Sequence, residues 1–350
     1  MQLNKDILSE RYVFNDQIIQ KGHLHYELII KIIKLLKDEN SRKIRKSCPL
    51  CNNLEANIIS ERDRYGLPVT FMICSNCSLI FSKEYFSDSF ATFYYKTIYN
   101  EFKKDKDMSS EELFLLRTKP NSPSFKRYEF IKKILGKKFD KIETIIEPGC
   151  NDGCNLYPFF KKGKNVYGCD YDEKRISIGK KKGINILVGG VDKLIEINKK
   201  ADLIIISHVL AHVNDFNRFI LDVKKMLKPD GLIFVETPGF RGWWDHIKIL
   251  KNYRKNFLDF LQFEFCYIFD LNLLKIFLDK HNFKFYKGNE YIRAIFNLDT
   301  DKTKQDIYIE NKKNAKSNLS YLKNNEKNFL KFLYLKKKFL KLSLKKNEKT

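Results

Sequence analysis

From Ile142 onward, short apolar runs alternate with helix-forming stretches, and nothing else in the sequence restricts the fold as much. The runs are Ile142 to Glu147, Asn165 to Asp170, Ile184 to Val188, Ala201 to Ser207 and Leu232 to Glu236. The longest apolar stretches within them, Leu203 to Ile206 and Leu232 to Val235, do not alternate with polar residues, as expected of strands buried on both faces. Strands of that kind separated by helices form a parallel sheet with helices on either side. Two further runs, near Phe283 to Lys287 and Tyr291 to Asn297, have only three residues between them. A gap that short admits a hairpin and excludes a crossover, so it predicts an antiparallel strand at the end of the sheet.

The first of these strands leads into the segment IIEPGCNDGCNL, which places a carboxylate, two glycines and a helix start where an open α/β sheet presents its ligand crevice. A dinucleotide fingerprint needs glycine at its first, third and sixth positions. Those positions here are Gly149, Asn151 and Cys154, so a nicotinamide cofactor is disfavoured. Cys150 and Cys154 lack a third cysteine at Tyr157 and read as small loop residues. The acid-x-Gly-x-x-x-Gly spacing of Glu147, Gly149 and Gly153 resembles class I S-adenosylmethionine-dependent methyltransferases, whose first motif usually has another glycine where Asn151 stands. Asp170, at the end of the second strand, can accept from both hydroxyls of a ribose. Asp192, in GGVDKL, falls where the family's loop borders the adenine. The block ADLIIISHVLAHVNDFNRFILDVKKMLKPDGLIFVETPG, with Ser207 at its first strand end, is similar to the fourth and fifth strands of that family. The resemblance implies a Rossmann-like seven-stranded methyltransferase sheet with its last strand antiparallel.

Upstream, Cys48-Pro-Leu-Cys51 and Cys74-Ser-Asn-Cys77, with 22 residues between the pairs, have the spacing of two knuckles around one tetrahedral zinc ion. Four thiolates leave no open position, so the expected Zn2+ is structural. The flanking segments RDRYGLPV and CSLIFS resemble the zinc-binding N-terminal module of bacterial methyltransferases of sugar and polysaccharide biosynthesis, the nucleotide-sugar C-methyltransferases among them. Together with Asn151 to Gly153 and the block from Phe260 to Phe283, the resemblance spans about residues 48 to 297. It implies a sugar, nucleotide sugar or related small acceptor.

For the base in methyl transfer, His208 and His212 flank the exit of the fourth strand, with hydrogen-bonded structural roles as the alternative for each. The sugar C-methyltransferases have Tyr-His-Glu-His beyond the fifth strand. This chain has Gln262-Phe263-Glu264-Phe265, so Glu264 is retained while both histidines are aromatic. That departure leaves open a different base, a hydroxyl or other acceptor, or a protein that binds without catalysis. Tyr267 and His246 are reserve candidates, and Trp243 and Trp244 are candidates to line an acceptor pocket.

The formal net charge of +23 raises nucleic acid as a partner. Lys, Asn, Ile and Phe are abundant throughout, however, as an AT-rich coding bias would produce. An RNA methyltransferase therefore stands as the rival reading and a non-catalytic zinc-stapled binding protein as the third. The domain reading is a helical segment over 1–46, with an amphipathic helix at Tyr26 to Leu36, and a zinc-ribbon-like module over 47–99. A polar linker over 100–122, the methyltransferase domain over 123–298 and a basic helical tail over 299–350 complete it. The tail is expected to be solvated, with contact to an anionic membrane surface as the alternative. No run approaches the length of a membrane span, and the first residues lack the pattern of a secretory signal, so a cytoplasmic location is expected. The oligomeric state is not legible.

Overall fold

The computed structural model describes residues 1–15, 26–99, 101, 108–241, 257–299 and 312–347, with side chains of the final helix described over 315–335. Strand β1 (Gln2–Lys5) is followed by helix α1 (Tyr26–Leu36) and strand β2 (Arg42–Ile44). Helix α1 turns Ile29, Ile32 and Leu36 inward, the stripe that its three-to-four-residue apolar spacing predicts. Next come β3 (Glu55–Arg62), β4 (Pro68–Cys74), β5 (Ile80–Ser82) and β6 (Glu84–Phe86), then helix α2 (Asp88–Thr97). Helix α3 (Ser110–Thr118) stands within the stretch expected to be linker. Its start is fixed by a capping box in which the Ser109 side chain accepts from Glu112 N and the Glu112 carboxylate accepts from Ser109 N. Helices α4 (Pro123–Leu135) and α5 (Lys137–Asp140) lead into the main sheet.

That sheet contains β7 (Thr144–Pro148), β8 (Asn165–Asp170), β9 (Asn185–Val188), β10 (Ala201–Ser207) and β11 (Leu227–Glu236). Between them run α6 (Tyr157–Phe160), α7 (Glu173–Lys181), α8 (Val191–Glu196) and α9 (Phe216–Met226). After β12 (Tyr267–Ile268) and α10 (Leu271–Lys280), β13 (Phe283–Asn289) and β14 (Arg293–Leu298) form the expected hairpin, and helix α11 (Lys312–Asn347) follows. The strand order is β13-β14-β11-β10-β7-β8-β9, with β14 antiparallel to both neighbours and β7 to β11 mutually parallel. This is the sheet that the sequence pattern predicts. The LKPDG segment at the start of β11 is an irregularity: Ala201 pairs with Leu227 and Leu203 with Leu232, so residues 228–231 loop out of register.

Both faces of the sheet are covered, which explains the uninterrupted apolar runs. Along β10, Leu203 and Ile205 join a core with Phe114, Tyr128, Ile131 and Phe159, while Ile204 and Ile206 face Leu194, Phe216, Ile220 and Leu274. The second core continues into the cysteine region through Met72, Cys74, Cys77 and Phe81.

A second, five-stranded sheet has the order β1-β3-β4-β5-β12. Its central strands come from the cysteine segment, its first strand from residues 2–5 and its last from 267–268. Alternation along β4 explains this assembly. Met72 and Cys74 face the core shared with the main sheet, whereas Phe71 and Ile73 face α1, Phe263, Phe265 and Leu322 of α11. The segment is apolar on both faces, and neighbours from elsewhere in the chain cover each one.

Candidate functional site

The chain runs outward from β7 to β9 and then crosses back to β10, so the strand order reverses between β7 and β10. The crevice at the carboxyl ends of these two strands is the switch point where open α/β sheets bind their ligands. Glu147, Gly149, Asn151, Gly153 and Asp170 converge there. Gly149 has φ +65° and a Cβ at that position would lie 2.6 Å from Val209 Cγ2. At Gly153, φ is +78° and a Cβ would lie 2.9 Å from Ile186 Cδ1. The turn therefore needs glycine at both positions, for its backbone conformation and for its close packing. Asn151 also adopts a left-handed backbone, φ +54°, which asparagine tolerates better than most residues.

Asp170 ties this loop to the second strand. Its Oδ2 accepts from Asn151 N at 2.8 Å, and its Oδ1 accepts from Asp172 N at 3.1 Å. Burial pushes its pKa up, and the backbone donors act against that rise. Each oxygen keeps a further lone pair for a hydroxyl donor. Asp172 is committed elsewhere, since it caps α7 by accepting from Arg175 N at 2.9 Å. Glu147 is 1% exposed; its Oε1 accepts from Asn155 Nδ2 at 2.7 Å and its Oε2 has no hydrogen-bond partner among the described residues. Burial raises its pKa to about 8. Asp192 is exposed in the first turn of α8, and Ser207 is buried at the end of β10.

The two histidines point into different surroundings. His208 has φ +56°, and its Nε2 lies 3.2 Å from Glu236 Oε1. His212 Nδ1 lies 3.0 Å from Tyr95 Oη, and the ring meets Tyr95, Tyr99 and Phe265 edge-on. Glu264 is buried within the same group of aromatics. Burial first, and Glu264 second, push the hydroxyls of Tyr94, Tyr95 and Tyr99 up, and Asp170 adds to the rise at Tyr99. Tyr99 thus stands within electrostatic reach of both the glycine-loop carboxylate and Glu264.

Helix α2 supplies Tyr94 and Tyr95 and lies across the crevice. Lys96 Nζ meets Glu173 Oε1 at 2.8 Å beyond β8, and Asn214 Nδ2 beyond β10 donates to Asp88 Oδ1 at 2.8 Å. Tyr267 is taken up in packing against Phe216 and donates to Asn214 O. Trp243, Trp244 and His246 lie outside the described residues.

Sequence reasoning passed over three groups. Arg127 and Arg293 clamp Glu236, a buried acid closing an otherwise apolar strand; that acid in VETPG was the available signal. Arg117 meets the fully buried Asp152 at 3.5 Å, and the capping box before it was the signal for its helix. Asp63 accepts from Tyr65 N, Leu67 N and Phe263 N, so the RDRYGLP turn grips the loop that carries Glu264. Its pKa is raised to about 7 by burial, against those three donors.

The cysteine cluster fits a tetrahedral metal ion. Sγ atoms of Cys48, Cys51, Cys74 and Cys77 all lie within 4.8 Å of one another, with Cys48 to Cys77 at 3.5 Å and Cys51 to Cys74 at 3.6 Å. Zinc–sulfur bonds of about 2.3 Å in a tetrahedron put the sulfurs about 3.8 Å apart. These separations are far too long for a disulfide. Asn76 N points at Cys74 Sγ from 3.4 Å, and Asn52 and Ser78 take left-handed backbones that close the two knuckles.

The seven-stranded order with β14 reversed, the glycine loop after β7 and the acid ending β8 define the Rossmann-like fold of class I S-adenosylmethionine-dependent methyltransferases, here joined to a cysteine cluster able to bind a metal. Residues 146–235 match the family model described as "Methyltransferase domain". Among curated proteins, the chain is 32% identical over 99 residues to a ubiquinone biosynthesis O-methyltransferase of Bartonella bacilliformis, covering 27% of this chain and 40% of that protein. A ubiquinone biosynthesis O-methyltransferase of Pelagibacter ubique is 31% identical over 126 residues, 32% of this chain and 52% of its own length. The chain thus spans about half or less of the curated relatives it matches. The solved plantazolicin methyltransferase BamL aligns at 15% identity and a TM-score of 0.41, over 58% of this chain and 79% of the other.

Proposed function

We propose that this protein is an S-adenosylmethionine-dependent methyltransferase acting on a small biosynthetic acceptor of the sugar or nucleotide-sugar type, with a structural zinc ion on Cys48, Cys51, Cys74 and Cys77. The observation that carries the reading is the Asp170 carboxylate at the switch point, closing the glycine loop inside the segment that matches a methyltransferase domain. Glu147, Gly149, Asn151, Gly153, Asp170, Asp192 and Ser207 are the residues we assign to the cofactor. When bound there, it supplies an electrophilic methyl group on a sulfonium. The chain's own work is to hold the acceptor in line, exclude water and take up a proton. Asp170 would accept from the ribose hydroxyls, α2 covers the crevice, and His208, His212 and Glu264 are the groups we assign to moving a proton.

The edge-on cluster of Tyr95, Tyr99, His212 and Phe265, with Glu264 close enough to act on the Tyr95 and Tyr99 hydroxyls, supports a compact acceptor that stacks and donates hydrogen bonds, as a hydroxylated ring does. The matched curated proteins are O-methyltransferases by name, which supports transfer to a hydroxyl. No helix among the described residues is long and apolar enough to cross a membrane. We place the protein in the cytoplasm. The exposed Leu330, Tyr334 and Leu335 among the lysines of α11 are the surface available for peripheral contact with anionic lipid.

Calorimetry of the zinc-loaded protein with S-adenosylmethionine tests the cofactor, and transfer of labelled methyl to a panel of nucleotide sugars tests the acceptor. Binding followed by labelling of a sugar is expected. No cofactor binding by folded protein would leave only a non-catalytic role. Labelling of RNA, with salt-sensitive binding, would replace the sugar acceptor.

A further inference from the structure

One buried carboxylate joins the ends of three strands to a helix. Glu236 closes β11 and is 1% exposed. Arg127 grips it from α4 with Nε to Oε2 and Nη2 to Oε1, both at 3.0 Å, and Arg293 at the start of β14 adds Nε to Oε2 at 2.9 Å. His208, just beyond β10, presents Nε2 to Oε1 at 3.2 Å and donates its backbone N–H to Glu236 O at 2.7 Å. On its other side Arg127 Nη1 donates to Asn155 Oδ1 at 3.1 Å, and Asn155 Nδ2 donates to Glu147 Oε1 at 2.7 Å. The series Glu147, Asn155, Arg127, Glu236, His208 therefore runs unbroken from the glycine loop to the exposed histidine.

We propose that Glu236 is a positioning residue that fixes His208 in the tautomer with a free Nδ1, the nitrogen that takes the acceptor's proton, and that Arg127 ties this arrangement to the glycine loop. The inference rests on the methyltransferase reading above. A carboxylate surrounded by two guanidinium groups stays ionised: burial alone would raise Glu236, but His208 and Arg127 hold it down to about 2. An ionised carboxylate only accepts, so the ring nitrogen facing it must carry the hydrogen. A neutral imidazole has one N–H, and the lone pair then sits on Nδ1. The left-handed backbone of His208 costs on the order of 1 kcal/mol or more, and the bond from its N–H to Glu236 O helps to hold it. In the step this serves, the acceptor atom bonds to the methyl carbon as the sulfur–carbon bond breaks, with that electron pair staying on sulfur. The acceptor's proton passes to Nδ1, and the imidazolium formed faces the Glu236 charge before losing its proton to water.

Nitrogen-15 NMR of the imidazole rings in the full-length, zinc-loaded protein at alkaline pH reads the tautomer directly, with His208 assigned by its missing signals in His208→Gln. The wild type is expected to show Nε2–H, and Glu236→Gln to lose that preference. An Nδ1–H tautomer in the wild type, or an unchanged tautomer in folded Glu236→Gln, overturns the proposal. Should Glu236→Gln fail to fold, the wild-type tautomer alone decides. Calorimetry with S-adenosylmethionine on the wild type keeps the two levels apart: no binding overturns the methyltransferase reading and the base role together, whereas binding with the wrong tautomer overturns only the role of Glu236.

Discussion

At Asp170 one side chain closes the glycine loop by accepting from Asn151 N, and the function proposed above gives its remaining lone pairs to a ribose. Hydrogen bonds to a charged group contribute about 1.5–3 kcal/mol each. Asp170→Ala is therefore expected to weaken S-adenosylmethionine binding about 10- to 150-fold in calorimetry; an unchanged affinity would mean that the ribose lies elsewhere. Glu147 shows a different effect of burial. Its folded pKa of about 8 lies above the usual value of 4.5, so between these values the folded state holds a proton that the unfolded chain has released. Stability must then fall as pH rises through that window, by up to ~1.4 kcal/mol for each unit. Glu147→Gln should remove this part of the slope and unfold at higher denaturant concentration than the wild type near pH 8, with the advantage vanishing near pH 4.5. Equal curves at both ends would show that Glu147 is ionised in the folded protein. The glycines and Asp170 were legible in the sequence because a turn, a close approach and a strand end each leave a local trace. The partners of Glu236 were not, because Arg127, His208 and Arg293 are brought together only by strand order.

Among the elements, the strands of the main sheet were legible to within a few residues, since two-sided burial leaves apolar runs such as Leu203 to Ile206, whereas the strands of the cysteine sheet were not. The basic tail was legible as a helix but not as one docked on the protein. Over its described half, α11 turns Ala315, Asn318, Leu322, Glu326 and Phe329 onto the body of the protein. Glu326 accepts from Ser9 Oγ at 2.8 Å, Arg11 Nη1 at 3.1 Å and Tyr12 Oη at 3.1 Å. Asn318 donates to Ser78 Oγ and to Asp270 Oδ2. These buried polar residues break the apolar periodicity, which is why the segment reads as solvated. Removing one partner of a buried ion pair typically costs about 3–5 kcal/mol; since Arg11 stays partly exposed, the lower end applies. Glu326→Ala is expected to undock the helix, seen as faster hydrogen exchange over 315–329 with exchange in β7, β10 and β11 unchanged. Protection equal to that of the wild type would show that apolar contacts alone seat the helix.

Across the whole molecule, the two sheets divide the site. Every residue assigned to the cofactor lies on or just beyond β7 to β10 of the main sheet. The residues proposed to face the acceptor hang from the cysteine sheet: β12, two residues beyond Phe265, pairs with β5, which starts three residues after Cys77, and the same strand run continues through β6 into α2 with Tyr94 and Tyr95. Asp63 and Arg64 add bonds from the β3–β4 turn to Phe263 N and Leu261 O. A structural zinc ion contributes on the order of 10 kcal/mol to small modules that cannot fold without it. Here Cys74 and Cys77 also belong to a core continuous with the main sheet, so metal loss should loosen one sheet without unfolding the other. Chelation, or Cys77→Ser, is therefore expected to raise hydrogen exchange over β4, β5 and 262–268 and to abolish methyl transfer. S-adenosylmethionine binding, read by calorimetry, should persist, weakened only by the loss of the α2 cover. Loss of cofactor binding in step with the metal would show that the two halves fold as one unit. Full transfer by the metal-free protein would show that the acceptor wall does not depend on the cysteine cluster.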